Sequence, residues 1–432
     1  MKLIRSSLIA ILILSVSNLC ASAQTGDVKQ KSSDYVSSDG ALVDELVKAM
    51  LAHNLELLAA RQRLTQAEAR LTQARLRPNP TLEFQHMDDR FLSNSGEREQ
   101  ELTIFQPIET GGRRGSRMDV ARAEIERVRF EVEDLERQKS AEMASLIGEA
   151  LSESARLYAL ERVTELNESL QTATSLRVRV GDASRYEFAQ LQTENVRLEA
   201  ERQRAITRLD GLMIQLRTLA GMPVDSDLKL KESQLDLSLA RLSLDEAVRI
   251  AMQSRPDLKA ALVAEREAEA RIRLAESERK PSFEAIFGYK KTTSADAVNP
   301  SDWQLKLGVS VSIPVFNRNQ GAIQEGSAAL AEARLHRESI EQMIRRDAAI
   351  ALRRLEQAQR GVKLYEDRLL PMAQQGVQMA RLGFDLGEIR LAEYITEQRR
   401  LTDIESSYVQ ARAELFQAGV EVERAIGRRP GR

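Results

Sequence analysis

"FQPIETGGRRG", residues 105–115, closes one kind of sequence and opens another. Before it, "ELTIF" alternates apolar and polar residues; after it, charged and small residues run for more than sixty positions without a proline. Near residue 312, "SIPVFNRNQG" repeats the arrangement after "LKLGVSVS". Proline offers no N–H to a strand ladder and has a φ suited to a turn. Glycine permits the bend that follows. Pro107, Gly111 and Gly112 in one copy, and Pro314 and Gly321 in the other, therefore predict a strand handing over to a long helix.

The recurrence extends along the chain. "LAARQRLTQAEARLTQARLRPNPTLEF" (58–84) matches "KAALVAEREAEARIRLAESERKPSFEA" (259–285), with Pro80 against Pro281 and Gly181 against Gly387. An internal duplication follows: residues 24–40 as an N-terminal extension, 41–222 and 243–427 as repeats, 223–242 as a linker and 428–432 as a tail. Each repeat predicts a helix of about 35 residues (41–77; 243–279), two extended segments around a turn-rich loop, and the junction. A helix of about 60 residues, a glycine tip and a helix of about 35 residues then follow.

Ile344, Ala348, Ala351, Leu355, Ala358, Val362, Tyr365 and Leu369 alternate spacings of four and three, a heptad seam that demands neighbouring helices. In the first repeat, Ile125, Val128, Val132 and Leu135 begin a seam that Lys139 breaks. A helix of about 60 residues is roughly 90 Å long. The extended segments alternate: Leu305, Leu307, Val309, Val311 and Ile313 point one way, and Phe283, Ala285, Phe287 and Tyr289 share a side. Two hairpins give four strands, too few to close a barrel alone. An outward apolar row with aromatics is the pattern of a membrane β-barrel strand; a small soluble sheet on the helices is the alternative.

Composition fits this picture. The 432 residues are 30% charged and 4% aromatic, with a net charge of −2 and both signs interspersed. That is the composition of long helices and gives no nucleic-acid-binding surface. Lys2, Arg5, the apolar run from Leu8 to Val16 and Ala21-Ser22-Ala23 predict a signal peptide over residues 1–23. Cys20, the sole cysteine, lies upstream of that cut; acylation there is disfavoured by the bulky Leu19.

"RPNPTLEF", "FQPIETGGRRG" and "RPDLKAA" resemble the TolC family of outer-membrane efflux proteins, nearest to its heavy-metal, CzcC-like branch. The resemblance implies a mainly α fold with a small β part. Three protomers would share one 12-stranded barrel in the outer membrane, above a helical tunnel crossing the periplasm. It also implies a periplasmic adaptor (a membrane fusion protein) and an inner-membrane RND-type pump as partners. The expected function is a passive exit duct, with divalent metals as the branch's cargo. A drug-efflux or type I secretion duct, and a purely periplasmic coiled-coil scaffold, are the alternatives.

No nucleophile constellation, nucleotide loop or metal-ligand spacing is found, so neither enzyme activity nor a cofactor is expected. His53, His86 and His336 are scattered, and Met50, Met143, Met213, Met343, Met372 and Met379 fall at irregular helical spacings suited to core packing. The candidate functional positions are the tips. Gly181 and Gly387 suit a left-handed chain reversal. The family resemblance places acids six and nine residues beyond the second tip glycine at a cation-attracting constriction. Here these positions are Glu393 and Thr396; an aromatic three before the glycine is Phe384, and Ile389 stands where arginine is expected. Glu187 holds the position of Glu393 in the first copy, Asp182 adjoins Gly181 and Glu388 adjoins Gly387. Helix-start carboxylates also serve simply as caps.

Overall fold

The computed structural model describes residues 31–89, 96–181, 183–231, 242–294 and 301–429. The signal peptide with Cys20, residues 24–30 of the N-terminal extension, Asp182, linker residues 232–241 and the last three residues lie outside this set.

After a 3-10 turn (Ser32–Asp34), the first repeat runs β1 (Val36–Ala41), α1 (Val43–His53), α2 (Leu55–Arg75), β2 (Thr81–Asp88), β3 (Glu97–Ile108), α3 (Arg113–Val180) and α4 (Arg185–Ala220). The second runs α5 (Leu244–Ser254), α6 (Pro256–Glu278), β4 (Ser282–Ser294), β5 (Ser301–Ser312), α7 (Gln320–Leu364), a π turn (Tyr365–Leu369), α8 (Leu370–Asp385) and α9 (Leu391–Ala425). Mainly helical, with two repeats carrying one hairpin each, the chain has the expected fold class. Helix α3 is 68 residues long, about 100 Å.

Three expectations need correction. Each leading helix is broken in two rather than continuous. In the first repeat, extended Asn54 accepts the N–H groups of Glu56 (3.0 Å) and Leu57 (3.1 Å), starting α2 afresh. In the second, Pro256 takes the first helical position and holds Arg255 out of the α region. The heptad seam is likewise interrupted. Ile344, Ala348, Ala351, Leu355 and Val362 are buried, but Tyr365 and Leu369 fall in the π turn. Pro371 lacks the N–H owed to the carbonyl of Asp367, and the wider turn absorbs that loss. Finally, the strands reach further into the turn-rich loops than alternation suggests, pairing Thr292 with Asp302 and Thr293 with Ser301.

The largest core lies where α1–α4 meet. Met50, Leu57, Met143, Ile147, Leu157, Leu209, Met213 and Leu216 are all buried there. It continues past Lys139, whose ammonium reaches Glu56 of α2 (2.9 Å) and Glu142 (3.1 Å). The second repeat builds a leaner core from Ala247, Ala348, Ala351, Leu355, Ala418, Val422, Ala425 and Ile426. Leu230 pairs with both ends of β1, so the chain between the repeats is sewn to the N-terminal segment.

The four long strands form one antiparallel sheet in the order β2-β3-β4-β5. Both hairpins are present, and they also pair with each other through β3 and β4. Among the described residues, strands β2 and β5 are left as open edges.

Candidate functional site

The sheet has two chemically opposite faces. Register places Leu82, Ile104, Phe287 and Leu307 in one cross-strand row, with Phe84, Leu102, Tyr289 and Leu305 in the next. Seven of these eight are exposed large apolar residues, Leu102 being half-buried. Along β5 the exposed row continues through Val309 and Val311 to Ile313 just beyond it, about 26 Å from Leu305 at about 3.3 Å per residue. That is close to the height of the apolar band of an outer-membrane barrel. Toward the hairpin end, Tyr289 stacks on Trp303 (5.6 Å), and the Lys291 ammonium lies over the indole (5.0 Å). The other face is ionic: Lys306 pairs with Glu101 and Lys290 with Glu99, each at 2.6 Å. An exposed apolar row of this extent is unfavourable in water and marks a surface that something else covers.

The junctions couple this sheet to the helices. Gly111 and Gly112 have φ of +74° and +83°, and Gly112 precedes the first turn of α3. In the second junction the left-handed residue is Asn319 (φ +58°), and Gly321 lies within α7. Asn319 rather than Gly321 makes that bend, because its amide can hold the strained backbone. Its own N–H donates to Asn317 Oδ1 (3.0 Å), and its Nδ2 donates to the Ala275 carbonyl (3.0 Å). Pro107 lies inside β3, opposite Glu284, rather than ending it. Strand β2 stops opposite Phe105, so Pro107 meets no β2 partner. Pro314 stands just beyond β5, where the Val315 N–H closes onto the Ile313 carbonyl (3.0 Å).

The arginines of "GGRRG" have a role that the sequence conceals. Arg113 donates to the carbonyls of Ser277 (3.3 Å), Glu278 (3.2 Å) and Lys280 at the end of α6. Arg114 donates to the Arg75 carbonyl (2.7 Å) at the end of α2. Two neighbouring side chains thus satisfy the orphan carbonyls of two helix ends, one from each repeat.

At the far end, Gly181 (φ +83°) and Gly387 (φ +77°) reverse the chain. The two tips share one apolar cluster, including Leu170, Leu191, Leu391, Tyr394 and Ile395. Phe384 belongs to that cluster: its ring stacks on Tyr394 (5.8 Å), and the Arg177 guanidinium lies 5.7 Å from its centre. The two tip acids differ. Glu187 is held in a capping box, taking the Ser184 N–H (3.0 Å) while its own N–H donates to Ser184 Oγ (3.2 Å). Glu393 has Arg390 at the N-cap instead; its exposed carboxylate makes no hydrogen bond or ion pair among the described residues. Glu388 is also exposed, and Thr396 Oγ1 donates to the Ala392 carbonyl (2.8 Å).

Among the described residues no three His, Cys, Asp or Glu side chains gather as a metal site. Met50, Met143 and Met213 are buried in the main core, Met343 is half-buried, and Met372 and Met379 are exposed on α8. No described helix is long and apolar enough to cross a membrane.

An open two-faced sheet joined to a helix about 100 Å long agrees with the channel-protomer architecture expected from the sequence. Residues 247–428, nearly all of the second repeat, match the family model described as Outer membrane efflux protein. Over 380 residues, 87% of each chain, the sequence is 23% identical to the cobalt-zinc-cadmium resistance protein CzcC of Cupriavidus metallidurans. It is 27% identical over 263 residues to the nickel-cobalt-cadmium resistance protein NccC of Alcaligenes xylosoxydans xylosoxydans, covering 59% of this chain and 56% of the relative. In structure it superposes on CusC, a protein described as forming a transmembrane channel, with a TM-score of 0.76 at 17% identity. That match covers 93% of this chain and 97% of CusC.

Proposed function

We propose that the protein is the outer-membrane exit duct of a tripartite efflux system, conducting heavy-metal cations passively outward. The observation that carries this is the sheet: four strands with an apolar outer face, an ionic inner face and two unpaired edges. Three copies supply twelve strands, and β5 of one protomer closes onto β2 of the next. The helices, too long for a globular core, continue the duct through the periplasm. An inner-membrane pump supplies the energy, and an adaptor joins that pump to the tips.

Metal cargo is favoured because the two curated relatives named above are metal-resistance proteins. A duct needs weak contacts along its path, since tight ligands would retain the ion. Glu393 is the candidate cation-attracting group at the narrow end, being exposed and without an ion pair among the described residues. Deletion of the gene should sensitise cells to zinc, cobalt or cadmium and leave tolerance to a dye panel unchanged. Sensitisation to dyes alone would move the assignment to a drug-efflux duct. In planar bilayers, Glu393→Lys should weaken block by divalent cations; unchanged block would remove Glu393 from the conduction path.

A further inference from the structure

Between the tip cluster and the main core, three helices place polar groups at one level. Along α3 the inward positions run Val163, Asn167, Leu170; along α4, Leu191, Glu194, Leu198; along α9, Ile395, Gln398, Thr402. Asn167 and Glu194 are 2% exposed and Gln398 is 5% exposed. Together with Arg197, Arg399 and Thr402 they line a narrow void with no room for a water molecule.

Two groups there lack partners. Asn167 Oδ1, an acceptor, and Gln398 Nε2, a donor, are both buried without a hydrogen bond among the described residues. They line the same void and are chemically complementary, yet they do not meet. Buried polar groups left unbonded penalise the arrangement that holds them, and any shift that joins or wets them is favoured. One ionic clasp bridges the layer. Glu194 accepts from Arg197 of its own helix (2.7 Å) and from Arg399 of α9. Burial pushes the Glu194 carboxyl up, but the two guanidiniums hold it below the ordinary range, so it stays ionised. Arg399 is half-exposed, so this clasp can release toward water.

We propose that this layer is the hinge plane at which the tip parts from the shaft. Asn167 and Gln398 are the mismatched pair that favours parting, and Glu194–Arg399 is the clasp that opposes it. The apolar tip cluster then moves as a unit, because no continuous apolar seam ties it to the main core. For conduction, and only there, this rests on the duct reading given above.

Amide hydrogen exchange of the purified, full-length assembly tests it, read over residues 170–198 and 377–402. Arg399→Gln should speed exchange in both stretches by about tenfold while leaving 403–425 unchanged. Asn167→Leu with Gln398→Leu, which joins the two apolar clusters, should slow exchange there by a similar factor and lower open probability in planar bilayers. Unchanged or faster exchange in the double leucine variant overturns the hinge, leaving the layer as a register key only. Should that variant misassemble, Arg399→Gln decides alone: tip exchange equal to the wild type also overturns the proposal. Exchange that shifts as stated, in a protein that never conducts, keeps the hinge and removes the duct.

Discussion

The two repeats break their leading helix at equivalent positions and then close the break in opposite chemical styles. In the first, Asn54 Nδ2 donates to the Leu219 carbonyl (2.9 Å), and Gly221 brings the end of α4 against His53. In the second, Ser254 Oγ donates to the Ile426 carbonyl, and Gly427 brings the end of α9 against Ser254 and Arg255. Both glycines are left-handed, at +73° and +79°. The filling differs. Around the first joint lie Met50, Leu57, Met143, Leu216 and Leu219; around the second is a polar cavity of about 340 Å³ lined by Arg137, Arg255, Asp257, Asp347 and Arg424. A duplicated fold is thus its own control. What both copies retain, the kink and the glycine closure, is demanded by the backbone; what they do not share is free to vary.

The largest effect is expected where the joints agree. Gly221→Val and Gly427→Val each put a β-branched residue at positive φ, with the new Cβ about 2.6 Å from His53 O or Ser254 Oγ. Both should abolish stable trimers, as read by mass in detergent. If only one does, the shared device is not needed in both copies. Next, Met50→Ala opens a cavity in the apolar joint and should cost about 2–5 kcal/mol in chemical denaturation. A loss below about 1 kcal/mol would mean that this core collapses to refill the space.

Smaller effects come from the polar joint. Arg255 donates to Asp257 (2.6 Å) and Asp347 (3.3 Å). Arg255→Met should cost about 2 kcal/mol, since both acids keep some access to water. Adding Asp257→Asn should recover part of the loss, because one uncompensated charge is then gone. A double variant weaker than the single would show that Asp257 is held by something other than Arg255. The pH dependence is smaller still. Burial raises the Asp257 carboxyl, but hydrogen bonding and charge from Arg255 outweigh it, and the group sits below its ordinary range. A depressed folded value adds stability above the unfolded pKa of about 3.9, lost as pH falls through the folded value. Wild-type melting temperature should therefore fall more steeply below about pH 4 than that of Arg255→Met/Asp257→Asn. Parallel profiles would contradict this.

Sequence carried the local geometry further than the partnerships. The alternation from Leu305 to Ile313 and the turn at Gly111-Gly112 are legible because strand period and glycine conformation are local properties. Arg113 was not legible as a helix cap, since its acceptors at Ser277 and Glu278 lie more than 160 residues away. Pro371 was visible, but its π turn depends on neighbours that hold the helix together around it. At the tips, Ser184 and Glu187 spell a capping box in plain sequence, whereas the Asn167–Glu194–Gln398 layer exists only once three helices are side by side. Phe384 shows the same limit: spacing places it near the tip, and only packing turns its ring onto Tyr394.

The central claim is that β2 and β5 find their missing partners in other copies of the chain. Amide exchange at β2 and β5, measured together with the mass of the detergent-solubilised assembly, tests this most directly. A trimer with both edge strands as protected as β3 and β4 is the predicted result. A stable monomer in plain buffer, with an intact sheet and fast exchange along either edge, would contradict it.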